Sequence, residues 1–137
     1  MPRNFRSLIA WQRADTLAVS IYQISTAEFP SEEKYGLTAQ IRKAAVSVAA
    51  NIAEGCGRES RLDFRRFLVM AQGSLFEVEY YLHLAHRLGF INGQTYTRTE
   101  MVRGEAGRTL QGLIRSADRR PEEFGSKNPP RPVTLVP

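Results

Sequence analysis

Residues Gln40–Ser60, QIRKAAVSVAANIAEGCGRES, decide how this chain is read. Ile41, Ala45, Val48 and Ile52 recur at steps of three and four, the period of one face of an α-helix. A second line with the same steps, Gln40, Ala44, Ser47, Asn51, Glu54 and Arg58, runs beside it. Ser47, Asn51 and Glu54 therefore flank an apolar face, and a helix that buries them must supply them with hydrogen bonds. The two glycines of GCGRES break the helix, and Ser60 followed three residues later by Asp63 has the form of a helix start.

Working outward, helical spacing recurs almost everywhere and no stretch alternates as a strand. A first helix is expected from about Arg6 to Ala27, with Leu8, Trp11, Ala14, Leu17, Ala18, Ile21 and Ile24 inward, stopped by Pro30. The second covers roughly Leu37 to Gly55. The third, about Ser60 to Leu88, turns Phe64, Phe67, Leu68, Ala71, Leu75, Val78, Leu82 and Ala85 inward and ends at Gly89. On its polar side Arg66, Met70, Ser74, Glu77 and Tyr81 follow the same steps. Gly73 is unfavourable in a helix and reads as a place where a neighbour comes close. A fourth helix, about Gln94 to Asp118, has a sparse apolar line of Met101, Leu110, Leu113, Ile114 and Ala117. It also carries Gly104, Gly107 and Gly112, each costing roughly 1 kcal/mol against alanine. Four helices with short connections predict an all-α, up-down-up-down antiparallel bundle over residues 1–118. Residues 119–137 hold five of the seven prolines and read as an irregular tail.

Composition bounds the function. The 137 residues are 42% hydrophobic, as in an ordinary globular domain, and no apolar run approaches the roughly 20 residues that span a bilayer. MPRNFRSLIAWQRAD has no small-residue cleavage site and is not expected to be a signal peptide. A lone cysteine, Cys56, allows no intrachain disulfide, and a cytoplasmic location with no membrane partner is expected. Net charge is +5, of which the tail contributes +2, so the distribution of charge matters more than its sum.

The segments LIAWQRADTLAVSIYQ, FPSEEKYGLTAQIRKAAVSVAANIAEGCGRES and DFRRFLVMAQGSLFEVEYYLHLAHRLGFI resemble the four-helix-bundle family named for 23S ribosomal RNA intervening sequences. The likeness runs from about Phe5 to Ile114, with YGLT, QIRKAA, NIAEG and GSLFEVE as its most specific parts. The same family includes the accessory variability protein of diversity-generating retroelements. That relative implies a homopentameric ring with a basic surface that engages nucleic acid, RNA or DNA, and a reverse transcriptase or other protein partner. The family motifs contain Arg42, Lys43, Asn51, Glu54, Gly55, Arg58, Gly73, Ser74 and Glu77, and the resemblance assigns none of them to catalysis.

Ser47, Asn51, Glu54, Ser74 and Glu77 read as a structural polar network that fixes helix register. Arg42, Lys43, Arg58, Arg61, Arg65 and Arg66 read either as a phosphate-neutralising patch or as a solvated face paired with Glu54, Glu59 and Asp63. Glu79, His83 and His86 share a helical face, but three ligands on one helix seldom close a metal site. Cys56 sits between glycines near Arg58 and is expected to be accessible, without a histidine partner. No phosphate loop or dinucleotide fingerprint is present. The expectation is a protein that is not an enzyme and takes no cofactor and no metal. It is either an oligomeric accessory factor that binds nucleic acid electrostatically or an oligomer whose partner is another protein. Trp11, Tyr22, Phe76, Tyr80 and Tyr81 cannot all lie on core lines, which favours homo-oligomer interfaces.

Overall fold

The computed structural model describes residues 3–119, and the expected tail beyond them lies outside the described residues. Four helices follow one another: α1 (Ile9–Glu28), α2 (Leu37–Cys56), α3 (Arg61–Arg87) and α4 (Gly93–Asp118). Among the described residues there is no strand. The helices run alternately up and down, with α1 packed on α2 and α4, and α3 packed on α2 and α4. The pairs α1–α3 and α2–α4 lie across the diagonals. This is the expected antiparallel bundle.

The helix ends obey local chemistry. A short 3₁₀ turn at Phe5–Ser7 precedes α1, so the expected continuous helix from Arg6 is interrupted at Leu8, which is extended. Asn4 holds that turn by accepting from the Arg6 amide, which competes with helical pairing. At the start of α2 the Glu33 carboxylate accepts from the Leu37 amide at 2.8 Å, placing negative charge at the positive end of the helix. Ser60 and Asn92 cap α3 and α4 by accepting from the amides of Asp63 and Thr95. Beyond α3, Gly89 adopts φ +77°, and the amides of Gly89 and Phe90 donate to His86 and Ala85 carbonyls at 3.0 and 2.9 Å. Those two bonds turn the chain sharply, and a side chain at Gly89 would strain them.

One continuous core fills the bundle. Leu17 and Ile21 of α1, Ile41, Val48 and Ile52 of α2, Leu68, Val78 and Leu82 of α3 and Leu110 of α4 are fully buried. On α4 the inward line differs from the expected one. Met101 is 70% exposed, whereas Thr95 and Thr99 are buried with Ala106, Leu110, Ile114 and Ala117. Thr99 Oγ1 donates to the Thr95 carbonyl at 2.8 Å and Thr95 Oγ1 donates to Glu28 at 2.9 Å. With their hydroxyls satisfied, the threonines behave as β-branched apolar residues.

The close approach expected at Gly73 is at Gly55 instead. A Cβ on Gly73 would meet nothing within 4 Å, and the residue faces outward. A Cβ on Gly55 would stand 2.9 Å from Phe67 Cβ and 3.3 Å from the Phe64 ring and carbonyl. Gly55 thus lets the last turn of α2 lie against the first turns of α3. Replacing Gly55 by valine should destabilise the protein by about 1–3 kcal/mol through overpacking. Gly73→Ala should stabilise it by about 0.5–1 kcal/mol, because an exposed helical site loses only glycine's entropy cost. Urea denaturation at one protein concentration reads both, and a Gly55→Val midpoint equal to wild type would contradict the packing account.

Candidate functional site

The polar residues of α2 and α3 meet only in part. Asn51 Nδ2 donates to the Ser47 carbonyl at 2.9 Å and to Ser47 Oγ at 3.0 Å. Ser74 Oγ, buried on α3, donates to the same Ser47 Oγ at 2.9 Å. Ser47 is the hub, and its two acceptor sites take one bond from each side of the α2–α3 seam. Glu54 does not join. It is exposed and forms an ion pair with Arg58 at 2.8 Å, since the seam at its level is filled by Gly55 and Phe67. Glu77 is also exposed: three residues beyond Ser74 is roughly 60° round the helix, enough to leave the seam. The network is Ser47, Asn51 and Ser74.

The basic residues separate into two groups. Arg42 lies in the first half of α2, where Nε donates to Ser25 Oγ at 2.8 Å and Nη2 to Thr26 Oγ1 at 2.9 Å. Its guanidinium also covers the Tyr22 ring at 4.6 Å. Lys43 is exposed beside it. Arg58, by contrast, lies sixteen residues on, roughly 24 Å along the helix axis. At that end Arg58 covers the Phe67 ring at 4.7 Å and Arg66 pairs with Asp63 at 3.2 Å. Arg61 Nη1 donates to the Ala117 carbonyl at 2.9 Å, and Arg65 pairs with Asp118. These last two fasten the start of α3 to the end of α4, where cations complement the negative helix terminus. The six residues therefore do not make one continuous patch.

Glu79, His83 and His86 diverge. Glu79 faces Arg103 at 3.7 Å, His86 stacks on Tyr96 with centroids 4.5 Å apart, and His83 lies beside Tyr80. Among the described residues no group of three ligating side chains stands close enough to hold a metal ion. Arg103 was not anticipated. It makes a two-pronged contact with Glu100 at 2.8 and 3.0 Å, and these bonds raise its pKa further above the ordinary arginine value. Cys56 is buried rather than accessible, because the amino-terminal segment folds over it and the Arg3 amide donates to its carbonyl at 2.9 Å. Burial pushes its thiol pKa up, against a smaller opposing pull from Arg3. It is therefore poorly suited to act as a nucleophile.

The large apolar groups left outside the core concentrate on the outer face of α3. Leu62, Val69 and Phe76 recur every seven residues and are 69%, 40% and 64% exposed, with Tyr80 at 56%. Gly73 lies among them with open space above it. On the exterior of α2, Ala39, Lys43, Val46 and Ala50 form an exposed line of mostly small side chains. Tyr22 is likewise exposed, whereas Trp11 and Tyr81 pack partly against the core. No described helix is long and apolar enough to cross a membrane.

These features define an antiparallel four-helix bundle with an internal serine–asparagine clasp and an apolar outer helix face. The family described as 23S rRNA-intervening sequence protein matches residues 6–112, and the chain belongs to that family. It is also similar to the crystal structure of a protein of unknown function from the S23 ribosomal protein family of Bacteroides thetaiotaomicron. The two share 25% identity at a TM-score of 0.72, over 77% of this chain and 98% of that one. No curated protein matches it.

Asn51→Leu should cost about 1–3 kcal/mol, since it removes donors from the Ser47 hub within the seam. Glu54→Leu breaks an exposed pair and should change stability by less than about 1 kcal/mol. Thermal denaturation of the two variants separates them, and equal losses would place Glu54 back in the network.

Proposed function

We propose that the protein is a non-enzymatic, self-assembling bundle that works through macromolecular contacts. The observation that carries this reading is the outward apolar face of α3. Phe76 and Tyr80 are large, mostly exposed and close to the open notch at Gly73. Side chains of that size on a helix exterior favour burial in an interface. The small-residue exterior of α2 is a complementary surface for them on a second copy. Because the two faces belong to different helices, such contacts are heterologous and close into a ring when the rotation permits. A homopentamer, as the family resemblance implies, satisfies that geometry, and a cytoplasmic site of action goes with this reading.

A second reading, electrostatic binding of RNA or DNA by the assembly, is favoured by one observation. The bundle end that holds the α2–α3 connection carries Arg58, Arg61, Arg65 and Arg66 together with Arg3, Arg6, Arg115 and Arg119. Among the described residues, Glu54, Glu59, Asp63 and Asp118 offset only part of that charge. Repetition around a ring multiplies a weak patch, because each further contact is nearly intramolecular.

Light scattering across micromolar concentrations tests assembly. Wild type should be oligomeric, and Phe76→Glu combined with Tyr80→Glu should yield a folded monomer by circular dichroism. A monomeric wild type, or a double variant that keeps its assembly state, removes the proposal. For the second reading, affinity for mixed-sequence RNA and DNA should fall steeply with salt and drop in the Arg58→Glu/Arg61→Glu/Arg65→Glu variant. Binding indifferent to both would leave protein contacts alone.

A further inference from the structure

The arginine-rich end of the bundle holds a cavity of about 540 Å³ between the segment preceding α1, the first turn of α3 and the last turn of α4. Its charged lining is Arg3, Arg61 and Arg119, with Ser116 beside them, and Leu8, Phe64 and Leu113 form apolar wall. Among the described residues no carboxylate lines it. Asp118, the residue after Ala117 on α4, is held by Arg65. The volume falls within the roughly 300–1,000 Å³ usual for small-ligand sites, which combine apolar walls with a few convergent polar groups.

Arg3 is the informative residue. Its guanidinium lies over the Phe64 ring at 3.9 Å, and its backbone amide is tied to the Cys56 carbonyl at 2.9 Å. The first contact positions the guanidinium and the second anchors the backbone that carries it. Yet Arg3 Nη1 is buried and makes no hydrogen bond, the one buried side-chain nitrogen or oxygen among the described residues in that condition. Leaving a buried charged donor unsatisfied is unfavourable, and such groups in folded proteins commonly mark a bound partner. Arg61 contributes a second guanidinium with one of its five donors committed, to the Ala117 carbonyl. A carboxylate is satisfied by a single guanidinium fork. Converging guanidinium groups suit an anion with more charge and three terminal oxygens, which is a phosphomonoester. The apolar walls and the guanidinium stacked on an aromatic ring suit a planar body attached to it.

The geometry points to a binding site for a nucleotide 5′-phosphomonoester, with Arg3 and Arg61 holding the phosphate and the Leu8–Leu113 side receiving the base. The nucleotide is free or forms the 5′ end of an RNA strand. The site is separate from the assembly faces on α2 and α3 and does not depend on them. It also differs from general electrostatic binding, which reads backbone phosphates and not a terminal one.

Calorimetric titration of the full chain with adenosine 5′-monophosphate and with adenosine, and anisotropy titration with one short RNA bearing a 5′-phosphate or a 5′-hydroxyl, tests this. The two RNAs share the same internal backbone, so salt-dependent binding to it cancels in the comparison. Saturable heat from the monophosphate and none from adenosine supports the site with a free nucleotide as ligand. An affinity about tenfold or more higher for the phosphorylated RNA supports it with a strand end as ligand. Arg3→Gln should abolish the phosphate preference, and Arg3→Lys, which keeps charge without the planar fork, should retain only part of it. No heat from the monophosphate together with equal affinity for the two RNAs overturns the proposal. So does a folded Arg3→Gln chain that keeps the preference. If Arg3→Gln fails to fold, the wild-type comparisons decide.

Discussion

The contact on which the bundle depends is the approach of α2 to α3 at Gly55. The backbone of α2 lies against Phe64 and Phe67 with no room for a side chain between them. That closeness sets how the two helices sit along their whole length. One consequence is the level at which Ser47 on α2 meets Ser74 on α3, about two turns from the contact. Shift either helix and the hub loses a donor, so the apolar contact and the polar clasp specify the same register. Agreement between independent local devices is what gives a sequence a single packed state.

The fold was legible because helix periodicity is a property of the sequence itself. The bundle class and most core positions of α1, α2 and α3 follow from apolar steps of three and four. The polar clasp was partly legible too, as Asn51 and Ser47 interrupt an apolar stretch. What sequence spacing does not carry is side-chain reach and the second partner. Glu54 shares a stripe with Asn51, but it stands close enough to the helix end to meet Arg58 and water. Gly73 and Gly55 are both helical glycines, and only packing tells the open one from the crowded one. Met101 gives up its expected inward place and Thr99 is buried, because a threonine bonded to the preceding turn buries more readily than hydropathy implies.

The cavity at the arginine end was not legible at all. Arg3, Arg61 and Arg119 are more than fifty residues apart in sequence, and each alone reads as an ordinary surface cation. They converge because an even number of antiparallel helices returns the chain to the end where it began. The arginines of the α2–α3 connection show the opposite effect. Read along the sequence they form a cluster, yet in space several are spent on joining α3 to the end of α4. Proximity in sequence overstated one site and concealed another.

The seam between α1 and α4 differs from the other three in joining helices that are not consecutive in the chain. Arg13 faces Glu105 at 3.9 Å and Thr95 donates to Glu28. Every other seam joins consecutive helices across a short connection. Loop-closure entropy therefore weighs most on this seam, which cannot zip up from a short connection, and such contacts are made late and released early. The three-helix run from α2 to α4 is assembled from local contacts, and α1 is the element whose docking completes the circle. In energetic terms the protein is a hairpin stack with a latch, and sub-global opening is expected to begin where α1 leaves α4.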